Sequence, residues 1–160
     1  MSQSRQKLIA KKVLMKSHLA ELQALLGRRV LADELCELDQ TEAIRRASQP
    51  LFKWPVTAYG IDFAERQTKR FRAFVERLAA ANASPVYLWV THSVECGTLK
   101  ASSLRDVKFD FEFDAIEMGL LSITTSDFRD RLLLDWFESD SNDRRLILEI
   151  QGVHWAEARY

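Results

Sequence analysis

In the segment Asp106-Val-Lys-Phe-Asp-Phe-Glu-Phe-Asp-Ala-Ile-Glu117, the aromatic residues Phe109, Phe111 and Phe113 alternate with the carboxylates Asp110, Glu112 and Asp114. A β-strand sends successive side chains to opposite faces. A strand over Val107–Phe113 would bury the three rings and stand the three acids in a row, with same-face neighbours roughly 6–7 Å apart. Such a row reads as a plain solvated strand face or as a docking surface for a basic protein, which needs only exposed charge. It suits a metal ion poorly, because hard cations need carboxylates that converge on one point. The acidic turn Ser139-Asp-Ser-Asn-Asp143 adds Asp140 and Asp143 to the candidate partner-binding set.

Three other constellations could do chemistry. Asp135 and the segment Glu149-Ile-Gln151 follow the order of Asp…Glu-x-Lys nuclease cores, in which two acids hold Mg²⁺ and a lysine helps activate water. Gln151 stands where the lysine is usual, and no basic residue is an obvious replacement. His92 and Cys96 could be zinc ligands or a nucleophile pair. With two cysteines, three histidines and no Cys-x-x-Cys spacing, a closed zinc site would have to draw its ligands from scattered positions. A turn with a buried thiol explains the same residues. In Gln151-Gly-Val-His-Trp155, Trp155 is expected to close the core, with a binding role for His154 as the alternative. The chain has no Gly-x-Ser-x-Gly elbow and no Gly-rich phosphate loop. The expectation is no catalytic residue, no metal ligand and no cofactor.

The elements that would position these groups can be read from periodicity. Leu8, Met15, Leu19, Leu22 and Leu26 lie on one face of a helix over residues 4–26, stopped by Gly27. Residues 31–47 read as a second, acidic helix, able to pack back on the basic first one as a hairpin. Residues 48–61 are punctuated by Pro50, Pro55 and Gly60 and read as a loop. Its Phe52, Trp54 and Tyr59 are too apolar to be left in water together. Asp62-x-x-Glu65 resembles a capping box for a third helix with Phe63, Phe71, Phe74, Val75 and Leu78 inward. Beyond Pro85 the period shortens to strands at 86–91, 96–101, 107–113, 120–124 and 145–151. Residues 126–138 fit either a helix through Phe128, Leu132 and Trp136 or a hairpin strand through Leu132, Leu134 and Trp136. The good turn at 139–143 favours the hairpin. The expected class is α+β in one domain over 1–160, with a mainly helical half (1–83) packed on a mostly antiparallel sheet (84–160).

At 160 residues, 47% apolar and 29% charged, the chain can bury a core without staples and is unlike a disordered one. Cys36 and Cys96 are expected as reduced thiols, no secretory signal or membrane span is visible, and the expected location is cytoplasmic. The net charge is zero but divided. Residues 1–105 hold 17 basic against 10 acidic residues (+7), and residues 106–160 hold 6 against 13 (−7). The basic first helix could contact nucleic acid. A solvated helix face is the favoured reading, because the helix lacks interleaved aromatics and an acidic second helix could pack beside it, so nucleic acid is not the expected partner. Homodimerisation through this helix is an alternative.

The acidic, aromatic-backed Phe109–Asp114, the acidic run Asp135 to Asp143 and the closing Gly152-x-x-Trp155 resemble small bacterial immunity proteins, which neutralise toxins delivered between competing cells. The resemblance spans about a third of the chain and is architectural, with no signature motif. It implies a cytoplasmic, non-enzymatic protein that binds a basic toxin domain and occludes its active site. The expected function is therefore protein binding through Asp110, Glu112, Asp114, Asp140 and Asp143. A metal-dependent nuclease-like hydrolase using Asp135 and Glu149, or an oligomerisation domain, are the alternatives.

Overall fold

Residues 3–26 contain neither glycine nor proline, and they form one helix, α1 (Gln3–Leu26). Ser2 caps its start, and Gly27 ends it at φ 61° with its N–H on the Gln23 carbonyl. Glycine takes that left-handed position without the clash a Cβ brings. The computed structural model describes residues 2–160, and the remaining elements follow α1 in order. They are α2 (Leu38–Ser48), β1 (Thr57–Asp62), α3 (Lys69–Ala81), β2 (Val86–Trp89), the single turn α4 (Ser93–Cys96), β3 (Leu99–Ala101), β4 (Leu120–Thr125), β5 (Asp130–Glu138) and β6 (Arg144–Gly152). The fold is α+β. Its six strands form one antiparallel sheet in the order β1-β6-β5-β4-β2-β3.

The period-2 pattern decides which face is dry. Leu121 and Ile123 lie opposite Leu134 and Leu132, which lie opposite Leu148 and Ile150. All six are fully buried and join Leu22 and Leu25 of α1 and Phe71, Phe74 and Leu78 of α3 in one core. Trp155 closes that core, its indole N–H donating to the Leu78 carbonyl at 2.9 Å. The second face is covered only in part: Leu51 and Leu133 are buried there, while Phe137 is 41% exposed. Among the described residues, no helix is long and apolar enough to cross a membrane.

The sheet differs from expectation at its first strand. Thr57–Asp62, inside the expected loop, is edge strand β1, paired with β6 in the register Tyr59↔Leu148. Phe52 and Trp54 are exposed, not sheltered as a group. Their backbone is held by hydrogen bonds: the Gln151 amide donates to the carbonyls of Leu51 (3.3 Å) and Trp54 (3.0 Å). Phe52 itself lies against the Arg131 guanidinium, 4.6 Å from the ring centre.

The second helix starts at Leu38, seven residues later than expected. Cys36 N–H donates to Thr98 O, and Leu35 bridges Leu99 at the β3 edge, so 35–36 are drawn into extended backbone. Both α1 and α2 pack on α4, and instead of closing directly on each other as a hairpin they flank a groove lined by Lys7, Leu8, Leu38 and Glu42. The Asp62–Glu65 box also fails. Helix α3 starts at Lys69, and Thr68 Oγ1 accepts from Phe71 N–H at 3.2 Å. Asp62 pairs with Arg145. Residues 126–138 resolve as a tight turn and β5, the hairpin alternative.

Candidate functional site

Residues 107–113 make no strand, although their burial alternates as a strand's would. Phe109 and Phe111 are buried, Phe113 is half-buried, and Asp110, Glu112 and Asp114 are exposed. An unpaired strand would leave its inward carbonyls unsatisfied, which burial penalises. Side chains satisfy them here. Arg66 Nη1 donates to the carbonyls of Phe109 and Phe111 (2.8 Å for Phe111), and the Trp136 indole N–H donates to Phe113 O at 2.8 Å. The segment is a strap folded around a guanidinium in place of a neighbouring strand.

Arg66 is 4% exposed. Its Nε donates to Phe63 O at 2.8 Å, and its guanidinium carbon sits 3.5 Å from the Phe63 ring centre and 4.6 Å from that of Phe111. Burial pulls its pKa down to about 10, against the opposing fields of the Asp110 and Glu112 carboxylates. Two of the three acids in the row therefore have an internal role: they compensate a buried charge.

The strap meets the β5–β6 turn at one shallow groove of about 450 Å³. Glu112 and Asp143 line it together with Asp62, Phe113 and Arg144. Asn142, at φ 63°, shapes the turn, and the Arg144 guanidinium lies 4.3 Å from the Phe113 ring centre. The candidate residues thus divide. Glu112 and Asp143 come together. Asp114 and Asp140 are exposed on the same two segments. Asp110 instead lines a second groove with Arg72, Glu76, Arg105 and Lys108, a mixed-charge setting. None of the five candidates forms an ion pair among the described residues, whereas neighbouring Asp62 and Glu138 are taken by Arg145 and Arg144.

The nuclease-like residues share the open sheet face but do not make a metal centre. Asp135 lies opposite Ile147 and Glu149 opposite Leu133, so the two acids are diagonal neighbours on a flat face. Gln151 is committed: its amide N–H groups go to Leu51 and Trp54, and its carbonyl accepts from Arg131 at 2.7 Å. No group of three His, Cys, Asp or Glu side chains among the described residues could hold a metal ion. His92 and Cys96 do not meet as a pair. His92 faces Glu117 at 3.5 Å, and the buried Cys96 thiol points to Lys11 O at 3.8 Å, with its pKa pushed up by burial. Both cysteines are free thiols.

Two buried polar clusters escaped sequence reasoning. Asp130, fully buried at the start of β5, accepts from Asn82 Nδ2 (2.7 Å), His154 N (2.7 Å), Trp155 N (2.8 Å) and, on the ring side, faces His154 Nδ1 (2.9 Å). It ties the end of α3 and the segment after β6 to the sheet. Glu21 accepts from Thr91 N, Thr91 Oγ1 and Glu117 N, holding α1 against β2 and the strap. The signal for the second cluster was present: Glu21 and His18 fall on the same helical stripe as Leu22 and Leu25, so they face the core. Comparison of the chain with protein families, curated proteins and solved structures finds no match.

Proposed function

We propose that this protein is a binding module that recognises a basic protein partner through the acidic end of its sheet, as a cytoplasmic immunity protein would recognise a toxin domain. The observation that carries the reading is the meeting of Glu112 on the strap with Asp143 on the β5–β6 turn in one groove, flanked by unpaired Asp114 and Asp140. Exposed carboxylates held on a tight turn and a side-chain-locked strap keep fixed positions, so a partner pays little ordering entropy for them. Charge of one sign speeds encounter with a partner of the other sign. Phe113, half-buried in the wall of that groove, supplies an aromatic contact of the type that dominates interfaces.

The test must spare the acids that serve Arg66. Asp114→Lys/Asp140→Lys/Asp143→Lys reverses charge at three exposed sites that make no hydrogen bond to the Arg66 guanidinium and leaves Asp110 and Glu112 in place. Capture from the native host should retain a stoichiometric basic partner on the parent protein and lose it on the triple variant. Binding to that partner should also weaken with salt. Equal affinity and equal salt dependence in the two proteins would sink the reading.

A further inference from the structure

We propose that the outer face of α1 is a second docking surface, built for an acidic amphipathic helix of a partner protein. Arg5, Ile9, Lys12, Val13 and Lys16 follow one another at steps that place residues on one helical face. The opposite face carries His18, Glu21, Leu22 and Leu25 into the fold. Val13 is 73% exposed and Ile9 47%. The stripe is thus an aliphatic pair flanked by three cations. No acid occurs between residues 2 and 20. None of Arg5, Lys7, Lys11, Lys12 and Lys16 forms an ion pair among the described residues.

The combination selects its occupant. An acidic helix laid along α1 places apolar positions on Ile9 and Val13 and flanking carboxylates on the cations, the pattern of helix-on-helix recognition. A second α1 would bring like charges together, and α2, this chain's own acidic helix, has its apolar Ile44 buried in the fold. A bilayer surface needs a broad apolar face, and here Leu14, Met15, Leu19 and Leu22 are turned toward the fold. Nucleic-acid phosphates would satisfy the cations but leave the aliphatic pair uncovered, and α1 has no aromatic residue for base stacking. The surface is separate from the acidic groove, so either can fail alone.

The experiment titrates the full chain into a labelled synthetic helix of about three heptads, with leucines on one face and glutamates flanking them. Fluorescence anisotropy reads the binding. The expected result is salt-sensitive binding that weakens at least about tenfold in Val13→Glu and in Lys12→Glu/Lys16→Glu. A lysine-flanked version of the same helix should not bind. Both variants change exposed residues, and an unaltered urea midpoint checks that they fold. No binding, or binding indifferent to the variants, overturns the proposal. So does stripe-dependent binding to phosphatidylserine vesicles or duplex RNA, or self-association in sedimentation that Val13→Glu abolishes.

Discussion

Replacing Arg66 by methionine keeps an unbranched apolar stem between Phe63 and Phe111 but removes the guanidinium. Three carbonyls, those of Phe63, Phe109 and Phe111, then lose their donor. Hydrogen bonds from a charged donor contribute about 1.5–3 kcal/mol each, and the stacked guanidinium adds about 1 kcal/mol. Against this, a pKa pulled down to about 10 means that burial opposes the charge by roughly 3 kcal/mol, a penalty the methionine relieves. The balance is a loss of roughly 2–7 kcal/mol, large for a domain of this size. Urea unfolding near neutral pH measures it, and hydrogen exchange across 107–119 localises it. Strap amides should lose protection before those of β5 and β6, because the sheet ladder does not depend on Arg66. Arg66→Lys should also be destabilised, since an ammonium cannot reach three carbonyls in a planar fork. A midpoint within about 0.5 kcal/mol of the parent, with strap protection unchanged, would refute the idea that this side chain substitutes for a strand.

Two further outcomes follow from buried groups. His18 is buried, its Nε2 sits 2.8 Å from Gly97 O, and its Nδ1 has no partner. Burial lowers its pKa below the ordinary 6.5, reinforced by His92 and opposed by the Gly97 carbonyl, Glu21 and Glu95. The unfolded chain therefore takes up this proton first, so stability is full above about pH 6.5 and falls as pH drops below it. Denaturant midpoints between about pH 7.5 and 5.5 should decline less steeply in His18→Gln than in the parent, and parallel profiles would count against the assignment. Asp130→Asn should cost roughly 2–4 kcal/mol in chemical denaturation, because one amide cannot accept from Asn82, His154 N and Trp155 N together. A change below about 0.5 kcal/mol would mean those donors find other acceptors.

The α+β class and most of the sheet were legible because apolar residues at β4, β5 and β6 alternate and glycine or turn residues bound them. Helix α1 and its Gly27 stop were legible from helical spacing, but its inward face was read only in part: Leu8 is 64% exposed, and the buried stripe runs through His18, Glu21, Leu22 and Leu25. The edge strand β1 was not, because Pro55 and Gly60 look like loop punctuation. Its partner lies opposite it only after the chain has folded, with Thr57 against Ile150. The alternation at 107–113 was read correctly for burial and wrongly for backbone. Nothing near Phe109 announces that Arg66 will satisfy its carbonyl from 43 residues upstream. The acidic set was legible as exposed charge. Its division between two grooves was not, since it depends on where the strap turns.

The pairing of β1 with β6 also has a temporal meaning. Thr57 cannot find its ladder partner until Ile150 has been made, and Leu78 waits equally for Trp155. Hairpins β4–β5 and β5–β6 close short loops and can form early, whereas β1 must close a long one, which slows folding. During synthesis, α1, β1 and α3 therefore leave the ribosome before the strands that complete their core. In that interval Tyr59, Ile61, Phe71 and Phe74 have no sheet to cover them. The chain is most prone to misassociation before residues 150–155 emerge.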